Sequence, residues 1–247
     1  MAFKSILCAC AAVAVGMLSA EQTSNICGWM KVTSALNNTI IGVPWVEVNG
    51  QNDAAVKVAN LVKTDNLTAG DKLYFYQSGT WYAWTLGANG WEAATTVTVD
   101  GVTASTPAAD QGIARGQALV LERQSTANPF YLYGQYTATA VAAQTLTAGT
   151  VAEPVYTLVA SPYPAAFDLN GGKITNVGAD DTIVVPQNGG ASTIYALKDG
   201  VWGYNKKVTT TFFGKQVTKS EWTVAEPLPA GTGFWYISRG GTPTIAW

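Results

Sequence analysis

The second half of this chain repeats the first half in order. Six short segments have counterparts at offsets of 110 to 118 residues. The matched pairs are "TIIGVPW" with "TLVASPY", "DKLYFYQ" with "DTIVVPQ", "TWYAW" with "TIYAL", "NGW" with "DGVW", "GIARGQALVLER" with "PLPAGTGFWYISR", and "NPFYLY" with "TPTIAW". One match is expected by chance in a chain rich in Thr, Ala, Gly and Val, whereas six in the same order indicate internal duplication.

The length of the repeat is that of one small β-sandwich, because about 110 residues can bury a core without stacking on neighbouring repeats. The sequence therefore predicts an all-β protein made of two tandem β-sandwich-like units. The first unit spans residues 21–133 and the second spans residues 134–247, so that the boundary falls at Gly134.

Local patterns in both halves are typical of strands and hairpins. Short runs rich in aromatic or β-branched residues predict strands at residues 73–76, 81–84, 118–121 and 234–237. Asn-Gly or Asp-Gly between apolar runs is the strongest short-range hairpin signal. The predicted turns are Ser78-Gly79, Asn89-Gly90 and Asp199-Gly200. Residues 52–62, "NDAAVKVANLV", fit either a turn or two of helix or another strand.

The paired segments "TIIGVPW" and "TLVASPY" each place a proline directly after an apolar run, at Pro44 and Pro162. Proline has no amide proton to donate and its φ is fixed, so it ends a strand or confines it to the edge of a sheet. The duplication therefore predicts two equivalent corners, one in each unit.

The first twenty residues, "MAFKSILCACAAVAVGMLSA", have the pattern of a secretory signal peptide: one positive charge, an apolar core and small residues at the end. We expect the mature chain to be extracellular or on the cell surface, and we expect no transmembrane helix. Removal of the leader takes away Cys8 and Cys10 and leaves Cys27 as the only cysteine. Cys27 is either a small buried hydrophobe or a thiol that bridges two chains.

Composition excludes several functions. The chain has no histidine, so it lacks the base of Ser-His-Asp and Cys-His enzymes and the commonest zinc ligand. Its net charge is −2 and its Lys and Arg are not clustered as nucleic-acid binding requires. We therefore predict a protein that is not an enzyme, has no cofactor or metal and does not bind nucleic acid. Asp180-Asp181, and Asp168 with Asn170, fit turn residues better than calcium ligands.

Three segments of the second half, "YTLVASPYPAAFDLN", "STIYALKDGVWGYN" and "PLPAGTGFWYISRGG", together resemble a module of secreted and surface proteins of Gram-negative bacteria. That module has an "NPYPS" phrase, a "DG-x-W" hairpin and a "PGQGF" strand. The resemblance covers roughly residues 156–247 and, more loosely, 39–133; Ser161 replaces its Asn, and the first half lacks its second proline. It implies β-sandwiches with auxiliary, adhesive or structural roles and no catalytic residues.

Tryptophans give the candidate ligand-binding residues, because exposed aromatic rings offer flat apolar faces on which sugar rings stack. The candidates for a glycan platform are Trp81, Trp84, Trp91, Trp202 and Trp235. The alternative is that these rings fill the cores. Successive residues of a strand point to opposite faces, so at least one aromatic of each adjacent pair should be buried.

The function predicted from the sequence is that of a non-enzymatic secreted or cell-surface protein with a structural or adhesive role. Its partners would be further copies of itself, joined through open strand edges, other surface proteins or extracellular polysaccharide. One alternative is a carbohydrate-binding module; another is an outer-membrane β-barrel, because Trp247 ends the chain on an alternating apolar strand. The four lysines at Lys206, Lys207, Lys215 and Lys219 predict a solvated hairpin face.

Overall fold

The structure, a computed structural model, describes most of the chain beyond the leader. It covers residues 27–32, 37–48, 54–77, 80–94, 98–99, 102–107, 111–124, 129–187, 191–212 and 215–247. The signal peptide predicted at residues 1–20 and the turn predicted at Ser78-Gly79 lie outside the described residues. The described chain is all-β, as predicted, with a single four-residue helix.

Strands follow one another closely in both halves. The elements of the first half are β1 Cys27–Val32, β2 Asn37–Gly42, β3 Val56–Lys57, α1 Val58–Leu61, β4 Lys72–Gln77, β5 Thr80–Gly87, β6 Gly90–Ala93, β7 Thr98–Val99, β8 Val102–Thr103, β9 Gly112–Ile113, β10 Ala118–Arg123 and β11 Phe130–Gln135. Those of the second half are β12 Gln144–Thr145, β13 Val155–Ala160, β14 Ile174–Val177, β15 Thr182–Val185, β16 Thr193–Lys198, β17 Val201–Phe212, β18 Lys215–Val224, β19 Gly233–Ser238 and β20 Gly241–Ile245.

The predicted strands are confirmed where the structure describes them, whereas the turn predicted at Asn89-Gly90 lies one residue earlier, at residues 88–89, with Gly90 already in β6. The four predicted runs lie in β4, β5, β10 and β19, and residues 52–62 contain both a strand, β3, and the short helix α1. Asp199 and Gly200 both have positive φ, 53° and 78°, as the tight turn between β16 and β17 requires. Both proline-ended segments form strands at the end of their sheet, β2 and β13.

Two large antiparallel sheets organise the fold. The first has the strand order β2-β10-β4-β5-β6, and the second has the order β13-β19-β15-β16-β17-β18. Each sheet begins with a proline-ended strand, which pairs with a strand from near the end of its half. A smaller sheet accompanies each, β1-β11 in the first half and β12-β20-β14 in the second.

Each half has its own apolar core between its large and its small sheet. The first core includes Phe75, Leu119 and Leu121 from the large sheet and Phe130 and Leu132 from β11, all fully buried. The second core has the same layering. Its members from the large sheet include Ile183, Phe234 and Tyr236. Ile245 comes from the small sheet, and Leu146 directly follows β12.

A third apolar cluster joins the halves where β2 lies against β13 and β19. Its members are Ile40, Ala118, Val120, Leu158, Ala160 and Trp235. The Gly42 amide donates to the Gly231 carbonyl over 2.8 Å, and a Cβ on Gly42 would lie 2.9 Å from the Cβ of Ala160. The repeated segments "TIIGVPW" and "TLVASPY" therefore contact each other directly.

Asp181 is a buried carboxylate that ties the start of β15 to the end of β19. It is 0% exposed. Its Oδ2 accepts the Gly178 amide at 2.9 Å and the Tyr236 hydroxyl at 2.8 Å. Its Oδ1 accepts the amides of Arg239 at 2.6 Å and Gly240 at 3.1 Å. Four donors surround this one carboxylate, so the prediction of a turn residue is confirmed for Asp181.

Asp71 occupies the same place before β4 in the first half and is 1% exposed. Its Oδ2 accepts the Thr68 amide at 3.0 Å, and its Oδ1 accepts the Gln124 amide at 2.9 Å. Asp181 accepts a hydrogen bond from a tyrosine hydroxyl, whereas Asp71 faces the buried guanidinium of Arg123. The Nε of Arg123 lies 3.6 Å from the Oδ2 of Asp71. Both aspartates cap a turn and hold the far end of a neighbouring strand.

Tyr236 makes the fold sensitive to alkaline pH. Burial raises its pKa above the ordinary value of 10.0, and the hydrogen bond to Asp181 and the charge of that carboxylate raise it further. The resulting stability is fully present below about pH 10, the unfolded pKa, and is lost as the pH rises through the folded pKa. In urea titrations from about pH 9 to pH 11, we expect the free energy of unfolding to fall more steeply for the wild type than for Tyr236→Phe. Equal slopes would contradict this assignment.

Of the two alternatives for Cys27, the structure contradicts the buried hydrophobe, because Cys27 is exposed. In β1 the residues that face the first core are Met30 and Val32, and residues an odd number of positions away point outward. Cys27 therefore shares the outer face with Trp29, which is 63% exposed.

Candidate functional site

The candidate site is a cleft of about 910 Å³ at the junction of the halves. Its walls come from β4, β5 and the start of β10 on one side and from β13, β15 and β19 on the other, with Gln144 and Thr147 beside them. The cleft lies next to the third apolar cluster, so the contact between the halves determines its shape.

Aromatic rings from both halves meet in this cleft. The rings of Trp81 and Trp235 are 6.3 Å apart between centroids and make an edge-to-face contact. Tyr76 packs against Trp81 at 5.3 Å and is 47% exposed, and Tyr156, on the opposite wall, is 59% exposed. Exposed ring faces line the cleft from several directions.

Strand alternation explains why these rings face the cleft rather than the cores. Trp235 lies between Phe234 and Tyr236, which are both fully buried in the second core, so its side chain points to the other face of the sheet. Trp81 likewise points away from Tyr82, which packs against the first core. Each large sheet therefore has a core face and a junction face.

The rest of the wall is neutral. Its polar side chains are the amides of Gln117 and Gln144 and the hydroxyls of Thr147 and Thr157. Gln117 is held in place because its Oε1 accepts the Ala114 amide at 3.2 Å and its Nε2 donates to the Tyr76 carbonyl at 3.4 Å. Among the described residues of the wall, none is Asp, Glu, Lys or Arg.

This combination determines which ligands the cleft suits. Aromatic faces contribute apolar contact area with little loss of conformational freedom, and neutral amides and hydroxyls supply directional hydrogen bonds. A charged ligand would lose its hydration and find no opposite charge on the wall. The cleft therefore suits a neutral ligand with both apolar and hydroxyl-rich faces.

Of the five predicted platform residues, the structure brings two together, Trp81 and Trp235. The prediction is wrong for Trp84 and Trp202, which are 6% and 3% exposed. Trp84 stacks on Phe75 at 4.9 Å in the first core, and Trp202 makes an edge contact at 6.2 Å with a tyrosine of the second core. Trp84 is three residues after Trp81, an odd spacing that places it on the opposite face of β5.

Trp91, another predicted platform residue, does not line the cleft. It is only partly buried, but it packs against the first core, and its Nε1 donates to the Val62 carbonyl at 3.1 Å. Tyr156, in contrast, is a wall residue that was not predicted. Its signal is its odd spacing from the core residue Val159 in the same strand, but nothing in the sequence indicates what lies opposite that face.

The remaining acidic candidates lie in turns. Asp168 accepts the amide of Asn170 on its Oδ1 at 2.8 Å, which is the turn geometry predicted for it. In the part of the chain that the structure describes, no group of three or more His, Cys, Asp or Glu is arranged to hold a metal ion. The described helix is also too short to cross a bilayer.

Comparison of the chain with protein-family models, curated proteins and solved structures gives no match. The similarity to Gram-negative surface modules therefore rests on the three sequence segments alone.

Proposed function

We propose that this chain is a non-enzymatic secreted or cell-surface adhesive protein that binds neutral extracellular polysaccharide in the cleft between its halves. The observation that carries the proposal is the wall of the cleft, in which Trp81, Trp235, Tyr76 and Tyr156 surround neutral amides and hydroxyls. Sugar rings have apolar faces that stack on aromatic rings and hydroxyl edges that bond to such groups.

Tandem duplication is the architectural part of the proposal, with units at residues 21–133 and 134–247. The six ordered sequence matches support it, as does the common strand order of the two large sheets. Further support comes from Asp71 and Asp181, which make the same turn-capping and strand-tying contacts in their halves. The predicted leader at residues 1–20 supports an extracellular or surface location.

The chemistry of the wall supports binding rather than catalysis. Hydrolysis of a glycoside normally uses two carboxyl groups on either side of the scissile bond. The buried carboxylates of the fold, Asp71 and Asp181, have their oxygens engaged by backbone amides and are not part of the described wall. Trp and Tyr rings hold a sugar without acting on it.

In calorimetric titrations against a panel of neutral polysaccharides, at least one should bind the purified mature chain. Trp81→Ala and Trp235→Ala should each weaken that binding roughly tenfold or more, because each removes a large stacking surface. The matched control is Trp29→Ala, which removes an exposed tryptophan outside the cleft and should leave the affinity unchanged.

Charged polysaccharides in the same panel test the neutral wall. They should bind more weakly than neutral ones, since the described wall offers no opposite charge. Failure of every neutral polysaccharide to bind, with tryptophan fluorescence unchanged, would contradict the proposed function. So would binding that Trp29→Ala weakens as much as Trp81→Ala does.

A further inference from the structure

Strands β17 and β18 form an arm that extends past the rest of their sheet. They pair over ten residues each, from Gly203 opposite Val224 to Phe212 opposite Lys215. On its other side β17 pairs with β16 only at residues 201–203. Within the described chain, β18 is the last strand of its sheet, so it leaves one side unpaired along its whole length.

The side chains that the structure describes in the outer part of the arm are almost all exposed. They include Lys206, Lys207 and Lys219, as the prediction of a solvated hairpin face requires, whereas the side chain of Lys215 lies outside the described part. A two-stranded hairpin with both faces in water is marginally stable on its own. At about 3.4 Å per residue, β18 offers a free edge roughly 34 Å long, along which about every second residue turns its N–H and C=O outward. Such an edge is suited to receive another strand.

We propose that β18 pairs antiparallel with β18 of a second copy of this chain, in a register centred on Ser220. In this register Glu221 of each copy lies opposite Lys219 of the other, which gives two opposite-charge pairs about a two-fold axis. Trp222 lies opposite Thr218 of the second copy, also twice. Aromatic and β-branched side chains in directly opposed positions stabilise paired strands.

Charge selects this register over its neighbours. A register centred one residue earlier would place Lys219 against its own copy, and one centred one residue later would do the same for Glu221. A lysine on an open edge normally discourages pairing. Here Lys219 discourages the wrong registers and is matched by a carboxylate in the proposed one.

Charge also explains why the partner strand is β18 and not β17. Residues 201–212 contain Lys206 and Lys207 and no carboxylate, so antiparallel self-pairing through their free edge would place no carboxylate of one copy opposite a lysine of the other. Residues 215–224 contain one carboxylate, Glu221, two positions from Lys219. The spacing of two keeps both side chains on one face of the strand.

This self-association goes beyond the proposed binding of polysaccharide and uses a different surface, because no residue of β18 is among the described residues of the cleft wall. Polysaccharide binding in the cleft and dimerisation through β18 can therefore be contradicted independently of each other. A variant that loses dimers should still bind the polysaccharide, and Trp81→Ala should still form dimers.

The test is sedimentation equilibrium of the mature chain over a wide concentration range, with reductant present to prevent a disulfide at the exposed Cys27. We expect a reversible monomer–dimer equilibrium that weakens as salt increases. Glu221→Lys and Lys219→Glu should each weaken the dimer roughly tenfold or more, because each turns two attractive pairs into two repulsive pairs. The double exchange Lys219→Glu with Glu221→Lys should restore the dimer.

The matched control is Lys207→Glu, which changes the net charge as Lys219→Glu does but lies on β17, opposite Ser220 and on the other face of the arm. It should leave dimerisation unchanged. A wild type that stays monomeric at the highest concentration would overturn the proposal. So would a dimer that both single variants retain, or a double exchange that fails to restore what the single variants lose.

Discussion

Replacement of Asp181 by asparagine is expected to lower the free energy of unfolding by about 3–5 kcal/mol. The substitution keeps the shape of the side chain but replaces one acceptor oxygen by an NH₂ group. Four donors now reach the buried carboxylate: the amides of Gly178, Arg239 and Gly240 and the hydroxyl of Tyr236. About half of them would face another donor, and a buried donor without an acceptor costs about 1–3 kcal/mol.

Urea denaturation at neutral pH gives this value directly. The matched control is Asp180→Asn, one residue earlier and exposed, for which we expect a change within about 0.5 kcal/mol. Equal stability losses for the two variants would show that the hydrogen bonds around Asp181 do not hold β15 and β19 together.

The second large effect is expected from Gly134→Ala. Gly134 in β11 pairs with Gly28 in β1, and the ring of Trp45 lies over both. A Cβ at Gly134 would lie 2.9 Å from the Trp45 Cγ, nearer still to its Cβ, and 3.1 Å from the Val46 carbonyl oxygen. Backbone as well as side chain would have to move, because no rotation of Trp45 displaces its own Cβ.

We expect Gly134→Ala to lower the free energy of unfolding by about 2–3 kcal/mol, the cost of overpacking a close contact. Gly240→Ala is the control, since a Cβ there would meet nothing nearer than 3.7 Å. Thermal denaturation followed by circular dichroism measures both variants. If the Gly134→Ala and Gly240→Ala proteins had the same melting temperature, the close approach of β11 to Trp45 would be contradicted.

Strand alternation predicts only part of the candidate site. From the sequence, Trp81 and Trp84 belong to opposite faces of one strand, and the same rule separates Trp235 from its neighbours. Alternation does not say which face a second layer covers. Two of the five predicted platform residues, Trp84 and Trp202, therefore lie in the cores. Tyr156, which was not among the five, is part of the wall.

The sequence by itself determined the features that depend on neighbouring residues. The all-β class, the strands β4, β5, β10 and β19 and the turn at Asp199-Gly200 follow from side-chain shape, period-two alternation and the φ that each residue tolerates. Only the tertiary structure decided that the two proline-ended strands meet, that Trp81 reaches Trp235 and that Cys27 points outward. These outcomes depend on how two sheets, distant along the chain, bury each other's surfaces, and no local pattern encodes that choice.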